Sequence, residues 1–255
     1  MKVQLIRSAT VIIEFAHSRF LVDPWLQPKG TFPPLPYGIQ ERQPLCDLPL
    51  PLEQILDVDA VIVTHLHYDH FCQDAAKHIP KDMTIFCQDE IDADELRKYG
   101  FTNIKIITFD IPSTFNDVTI HKVNCDHGAK EIYLPPTRKD AFGFILTSPK
   151  EEKKVYLAGD TIYCQYVKDA INTFKPEVII VNGCEATHPE FGPLIIGIDG
   201  IRDIHKDAPD ATIVVVHMET VTHYKYTRAD IRKFIDDEHL EKSVLLPNDG
   251  EILSF

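Results

Sequence analysis

The 255-residue sequence has no apolar run approaching the roughly 20 residues that a membrane-spanning helix needs, so no such helix is expected. Its opening, MKVQLIRSATVIIEF, has neither the long apolar stretch nor the small-residue cleavage site of a secretory signal peptide, and a cytoplasmic protein is expected. No Cys-x-x-Cys pair occurs. The six cysteines, Cys46, Cys72, Cys87, Cys125, Cys164 and Cys184, read as reduced thiols that serve mainly as small buried side chains. Basic residues are in deficit, 26 Lys and Arg against 39 Asp and Glu, giving a formal net charge of −13. Affinity for nucleic acid comes from neutralising phosphates, so DNA and RNA are not the expected partners, although bound divalent ions would turn the local field positive. Internal repeats and low-complexity tails are also missing. At 44% hydrophobic and 25% charged residues the chain can bury a sizeable core, and a single domain over 1–255 is expected.

Strand-like runs open the chain at Val3 to Ile6, Thr10 to Phe15 and Phe20 to Val22. Residues 24–51 are then so rich in proline that neither regular helix nor central strand is expected there. Trp25, the one tryptophan, lies in this stretch with Phe32, Leu35 and Tyr37, which suits a packed loop or lid as well as a wrap over a sheet edge. From Asp59 onward strands and helices alternate. AVIVT, MTIFC, NIKIITF, DVTIHKVNC, FGFILTS, KKVYLAG, PEVIIVNG, ATIVVVH and SVLLP read as strands. Helices are expected at Phe71 to His78, IDADELRKYG with Gly100 as stop, Thr161 to Phe174, Ile198 to Lys206, and Thr227 to His239 with a capping-box-like start. Hairpin strands followed by βα alternation predict an α/β fold of two packed sheets with helices outside, an αββα sandwich; a doubly wound parallel sheet is the alternative that periodicity leaves open.

Metal-competent residues collect at strand ends. His65, His67, Asp69 and His70 follow AVIVT, His127 follows VTIHKVNC, Asp160 follows KKVYLAG, and His217 ends ATIVVVH. Strand ends along one edge share a crevice, so these side chains could converge. Imidazole and carboxylate suit zinc, and also manganese or iron. In an extended H-x-H-x-D-H, adjacent Asp69 and His70 would point apart; a loop can give the first two ligands to one ion and the last two to another. The carboxylate of Asp160 could bridge both. His223, six residues after His217, could act as a general acid, contact substrate or serve as an alternative terminal ligand. Asn182, Glu185 and His188 lie in a loop after a further strand and could reach substrate, although ordinary surface roles are the commoner outcome.

The motif THLHYDH resembles the signature of the metallo-β-lactamase fold superfamily. VIIEFAHSRFLVDPWL is similar to that superfamily's opening hairpin with its structural aspartate, and AFGFILTS with KKVYLAGDT resembles the strand pair leading to a bridging aspartate. VIIVNG and VVVHMETVTHYKYTRADI look like the branch containing the UlaG-like L-ascorbate-6-phosphate lactonases. The resemblance implies two divalent metal ions, zinc first with manganese or iron as alternatives. It places His65, His67 and His127 on one ion, Asp69, His70 and His217 on the other, and Asp160 between them. It further implies a metal-activated water as nucleophile, oriented by Asp69, with Asp69 or His223 returning the proton. The expected function is hydrolysis of an ester-like bond, a lactone or phosphoester, in a small-molecule substrate. A nuclease or phosphodiesterase of the same fold, or a non-catalytic metal-binding sensor, is the alternative. No membrane partner is expected, and self-association is left open.

Overall fold

In the computed structural model, which describes residues 1–128 and 141–255, two seven-stranded sheets lie face to face. The first runs in the order Ile252–Ser254, Lys2–Arg7, Thr10–Phe15, Ser18–Val22, Ala60–Ile62, Thr84–Cys87 and Ile104–Ile106. The second runs Val244–Leu245, Thr212–Val216, Val178–Asn182, Glu151–Leu157, Phe142–Ser148, Val118–Asn124 and Ser113–Phe115. Each sheet is antiparallel on one side. Each is parallel on the other. Parallel neighbours need a crossover: the proline-rich segment with the short helix Leu52–Ile55 joins Ser18–Val22 to Ala60–Ile62, and the helices Gln73–His78, Glu90–Lys98, Gln165–Phe174, Ile198–Asp207 and Arg228–Asp237 join the other five pairs.

The strand sequences explain the four layers. Successive side chains point to opposite faces, so a strand apolar at every position is buried on both sides. Val11, Ile13 and Phe15 enter the core between the sheets, whereas Ile12 enters the one beneath the helices. The same division separates Phe20 and Val22 from Leu21, and Val214 and Val216 from Ile213 and Val215. The fold is thus the expected αββα sandwich.

Several boundaries differ from expectation. The helix expected from Thr161 starts only at Gln165, because Ile162 N donates to Asp126 O and Thr161 Oγ1 accepts from Asp126 N, tying this stretch to the His127 loop. The last helix begins as expected, with a reciprocal Thr227–Asp230 capping box.

The proline-rich stretch is a packed segment. Trp25 is completely buried, and the buried Arg7 guanidinium lies over its ring while donating to the carbonyls of Trp25, Gln27 and Cys46. Phe32 and Gln43 pair as a small antiparallel bridge. Among the described residues no helix is long and apolar enough to cross a membrane, and all six cysteines are free.

Candidate metal centre

The strand Ala60–Ile62 delivers Val63 to His65 into the crevice, and the chain then turns. His70 N and Phe71 N both donate to His67 O at 2.9 Å. That turn resolves the difficulty of adjacent ligands: Asp69 and His70 face one place together. The second sheet brings His127, Asp160 and His217 from three strand ends. His217 N donates to Ser8 O at 2.8 Å and so ties the two sheets together at the crevice. His217 has φ 63° and Asp23 φ 48°, left-handed conformations that cost about 1 kcal/mol or more for a non-glycine residue and recur at functional sites.

Ligand-competent atoms fall into two groups. One atom each from His65, His67, His127 and Asp160 lie within 4.8 Å of one another, as do one each from Asp69, His70 and His217. Asp160 lies between the groups, with Oδ2 3.2 Å from His70 Nε2 and 3.4 Å from His127 Nε2. Its Oδ1 accepts from Asn182 Nδ2 at 2.5 Å, which fixes the carboxylate.

The outer hydrogen bonds determine which nitrogens face inward. Asp23 accepts from Thr64 N at 2.7 Å, Thr64 Oγ1 at 2.7 Å and His70 Nδ1 at 2.8 Å. Thr64 has already given its proton to Asp23, so its oxygen accepts from His65 Nδ1 at 3.0 Å. His127 Nδ1 donates to Leu194 O at 2.9 Å. The rings of His65 and His127 therefore present bare Nε2 lone pairs to the crevice, and His70 turns its Nε2 the same way, free to bind an ion once that ion displaces its proton. Into the same space points His67 Nδ1, 2.9 Å from His65 Nε2 and 3.3 Å from His127 Nε2. One proton on His67 can satisfy only one of those two contacts. In the other group, His70 Nε2 and His217 Nε2 are buried and meet only carboxylate oxygens, of Asp160 at 3.2 Å and Asp69 at 3.5 Å, without hydrogen-bond geometry. Converging lone pairs and orphaned buried nitrogens fit divalent cations, and the outer hydrogen bonds are those that orient metal-binding histidines.

Electrostatics point the same way. Burial opposes charge on His70, yet Asp160 and Asp23 outweigh it and push the imidazole up to about 10. His217 is likewise raised despite burial, through Asp69 and Cys184. Asp160 is held well below the carboxylate range against burial, chiefly by His70 and His127. Burial and neighbouring His70 depress His65, and burial and His127 bring His67 down to about 4. The Asp69 end of the site thus demands positive charge, while the His65 and His67 end offers neutral ligands.

His223 lies outside both groups. Burial lowers it to about 4, its Nδ1 is buried without a partner, and its ring meets Tyr37 edge-on at 6.1 Å. His188 packs on Tyr37 at 4.8 Å and stacks on Phe191 at 4.7 Å, and Glu185 pairs with Lys225. Cys184, read from the sequence as a small buried side chain, is fully buried, but its contact with the centre, Sγ 3.7 Å from His217 Nδ1, carries no spacing signal. On the His127 side a cavity of about 310 Å³ opens, lined by Phe109, Lys122, Asn124 and Gly128 among others. That is the lower end of the range for small-molecule sites.

Residues 18–218 match the family model described as the beta-lactamase superfamily domain. The UPF0173 protein YddR of Bacillus subtilis (strain 168) is 38% identical over the whole of both chains. Among solved structures, the isothiocyanate hydrolase from Delia radicum gut bacteria is 37% identical, with TM-score 0.93, covering 100% of this chain and 99% of that one. A possible metal-dependent hydrolase from Veillonella parvula DSM 2008 is 36% identical with TM-score 0.94 over the same shares.

Proposed function

Because the chain belongs to the beta-lactamase superfamily domain family, and is a metal-dependent hydrolase of the metallo-β-lactamase superfamily, we propose that it hydrolyses one bond of a small organic electrophile with a water ionised between two divalent cations. The two adjoining ligand groups, with Asp160 between them, carry this reading. His65, His67 and His127 would hold one ion and Asp69, His70 and His217 the other, both reached by Asp160. Ions bound there would ionise a water near neutral pH and stabilise charge developing on the substrate. The donor set suits zinc first and also accepts manganese or iron.

Asp69 is the proton carrier of this reading. Its carboxylate lies within the second group, 3.5 Å from His217 Nε2, where it would take the water's proton and return it to the departing atom. His223 is held neutral, which suits it to contact substrate through hydrogen bonds rather than to arrive charged at neutral pH.

An isothiocyanate is the first substrate class to test, supported by the relative of 37% identity over the full chain. Water oxygen bonds to the central carbon and a proton moves to nitrogen. The remaining acid proton of the resulting thiocarbamic acid then moves to nitrogen as its C–N bond breaks, so that R–N=C=S and water give R–NH2 and COS. A lactone or phosphoester is the second class, supported by the resemblance of VVVHMETVTHYKYTRADI to the UlaG-like branch. Both ask the same of the residues: a fixed nucleophilic oxygen and a returned proton. The −13 charge and the small cavity disfavour a polynucleotide.

The test is turnover by metal-reconstituted protein of phenyl isothiocyanate, a lactone panel and bis(p-nitrophenyl) phosphate, with elemental analysis in parallel. One class is expected to react, and His67→Ala to lose at least a hundredfold in kcat/KM along with metal. Stoichiometric metal without turnover of any compound would favour a metal-binding sensor. Folded protein that neither contains nor takes up metal would defeat the two-ion reading.

A further inference from the structure

Tyr37 stands on a rigid mount at the Asp69 end of the crevice. Leu35 N donates to Thr222 Oγ1 at 3.3 Å and Ile39 N donates to Thr222 O at 2.6 Å, so backbone on both sides of Tyr37 is bolted to the residue preceding His223. Gly38 makes the approach feasible, since a Cβ there would lie 2.4 Å from Thr222 O. The ring is held from the side by His188 and His223, at 4.8 and 6.1 Å.

A ring fixed so closely carries a hydroxyl that has no hydrogen-bond partner among the described residues. Other donors nearby are committed: Asn182 Nδ2 to Asp160, Lys225 Nζ to Glu185, and Gln43 Nε2 to the Tyr68 hydroxyl. Partial burial and the charge of Asp69 push the Tyr37 phenol up, so it keeps its proton at neutral pH. The ligand cluster forms the floor of the site and offers acceptors and lone pairs; Tyr37 comes from the proline-rich segment and offers a neutral donor.

We infer that Tyr37 contacts substrate, its hydroxyl donating a hydrogen bond to the atom on which negative charge develops, the sulfur of an isothiocyanate or the oxygen of an ester-like group. The inference rests on the hydrolase reading above and adds a residue to it. A hydrogen bond to a charged acceptor contributes enough that its loss is felt about ten- to a hundredfold.

The experiment compares metal-loaded wild type with Tyr37→Phe. The variant keeps the ring that packs on His188, and metal content and melting temperature are expected to be unchanged. Calorimetric affinity for phenylphosphonate, a stable tetrahedral dianion, is expected to fall at least tenfold. With whichever panel substrate wild type turns over, kcat is expected to fall by a similar factor and KM to move less. Equal phenylphosphonate affinity in the two proteins would overturn the inference, as would wild type that fails to bind the probe at millimolar concentration. Weaker binding by the variant, in a wild type that hydrolyses no panel member, would uphold the Tyr37 contact and count against the hydrolase reading.

Discussion

Asp23 sets the geometry of the centre without belonging to either ligand group. Its two oxygens accept from Thr64 N, Thr64 Oγ1 and His70 Nδ1, and through Thr64 it also orients His65. Asp23→Asn replaces one acceptor with a donor and leaves a buried N–H facing another. A loss of about 1–3 kcal/mol is expected in denaturant unfolding, with roughly 10–100-fold weaker metal binding in chelator competition. A second expectation concerns pH. His70 is raised to about 10 in the metal-free chain, above its ordinary 6.5. Its contribution to stability is therefore full below about 6.5 and disappears as pH rises through about 10. Metal-free protein is expected to lose melting temperature over that window, and metal-loaded protein to lose less, because the ion replaces the proton. Metal uptake at pH 8 is expected to release protons, which calorimetry in buffers of different ionisation enthalpy measures. The seven clustered residues were legible in sequence because each follows a strand. Tyr37 and Cys184 were not, because their meaning lies in neighbours distant along the chain.

At the scale of elements, alternation was the readable signal. FGFILTS gave its strand boundaries directly, since its buried residues serve both cores. Short strands such as Ser113–Phe115 and Ile252–Ser254 escaped, because three residues hold too little alternation to register. Thr161 to Cys164 reads as helix in the sequence but is held out of it by hydrogen bonds from the His127 loop, which no local pattern announces. The proline-rich segment could be called non-repetitive from sequence, yet its attachment depends on Arg7, Thr222 and Gln43, which no local pattern reveals. Gly38 tests that attachment. A methyl group there meets a backbone carbonyl that cannot rotate aside, so Gly38→Ala is expected to cost about 1–3 kcal/mol by overpacking. Because Arg7 still holds the start of the segment, limited proteolysis is expected to cut the variant around residues 35–39 before elsewhere. A cleavage pattern identical to wild type would show that the Thr222 contact does not hold the segment down.

For the molecule as a whole, the division of ligands between sheets matters more than their number. The first sheet supplies His65, His67, Asp69 and His70 through the loop after Ala60–Ile62; the second supplies His127, Asp160 and His217. That division was visible in the sequence as strand ends, whereas the inward nitrogens became visible only with the outer hydrogen bonds in place. Ions held there would join two layers that otherwise meet through apolar side chains and a few links such as His217 N to Ser8 O. An ion that binds the folded chain alone stabilises it by mass action, by about 4 kcal/mol at a thousand times its dissociation constant. For a chain of this size each kcal/mol moves the melting temperature by roughly 2–4 °C. Chelation is therefore expected to lower the melting temperature by about 8–16 °C, and readdition of zinc to restore it. Because the ligands span both sheets, unfolding is expected to remain a single transition, with tryptophan fluorescence from Trp25 and far-ultraviolet circular dichroism falling together. Two separated transitions in the metal-loaded protein would show that the centre does not make the sheets unfold as one.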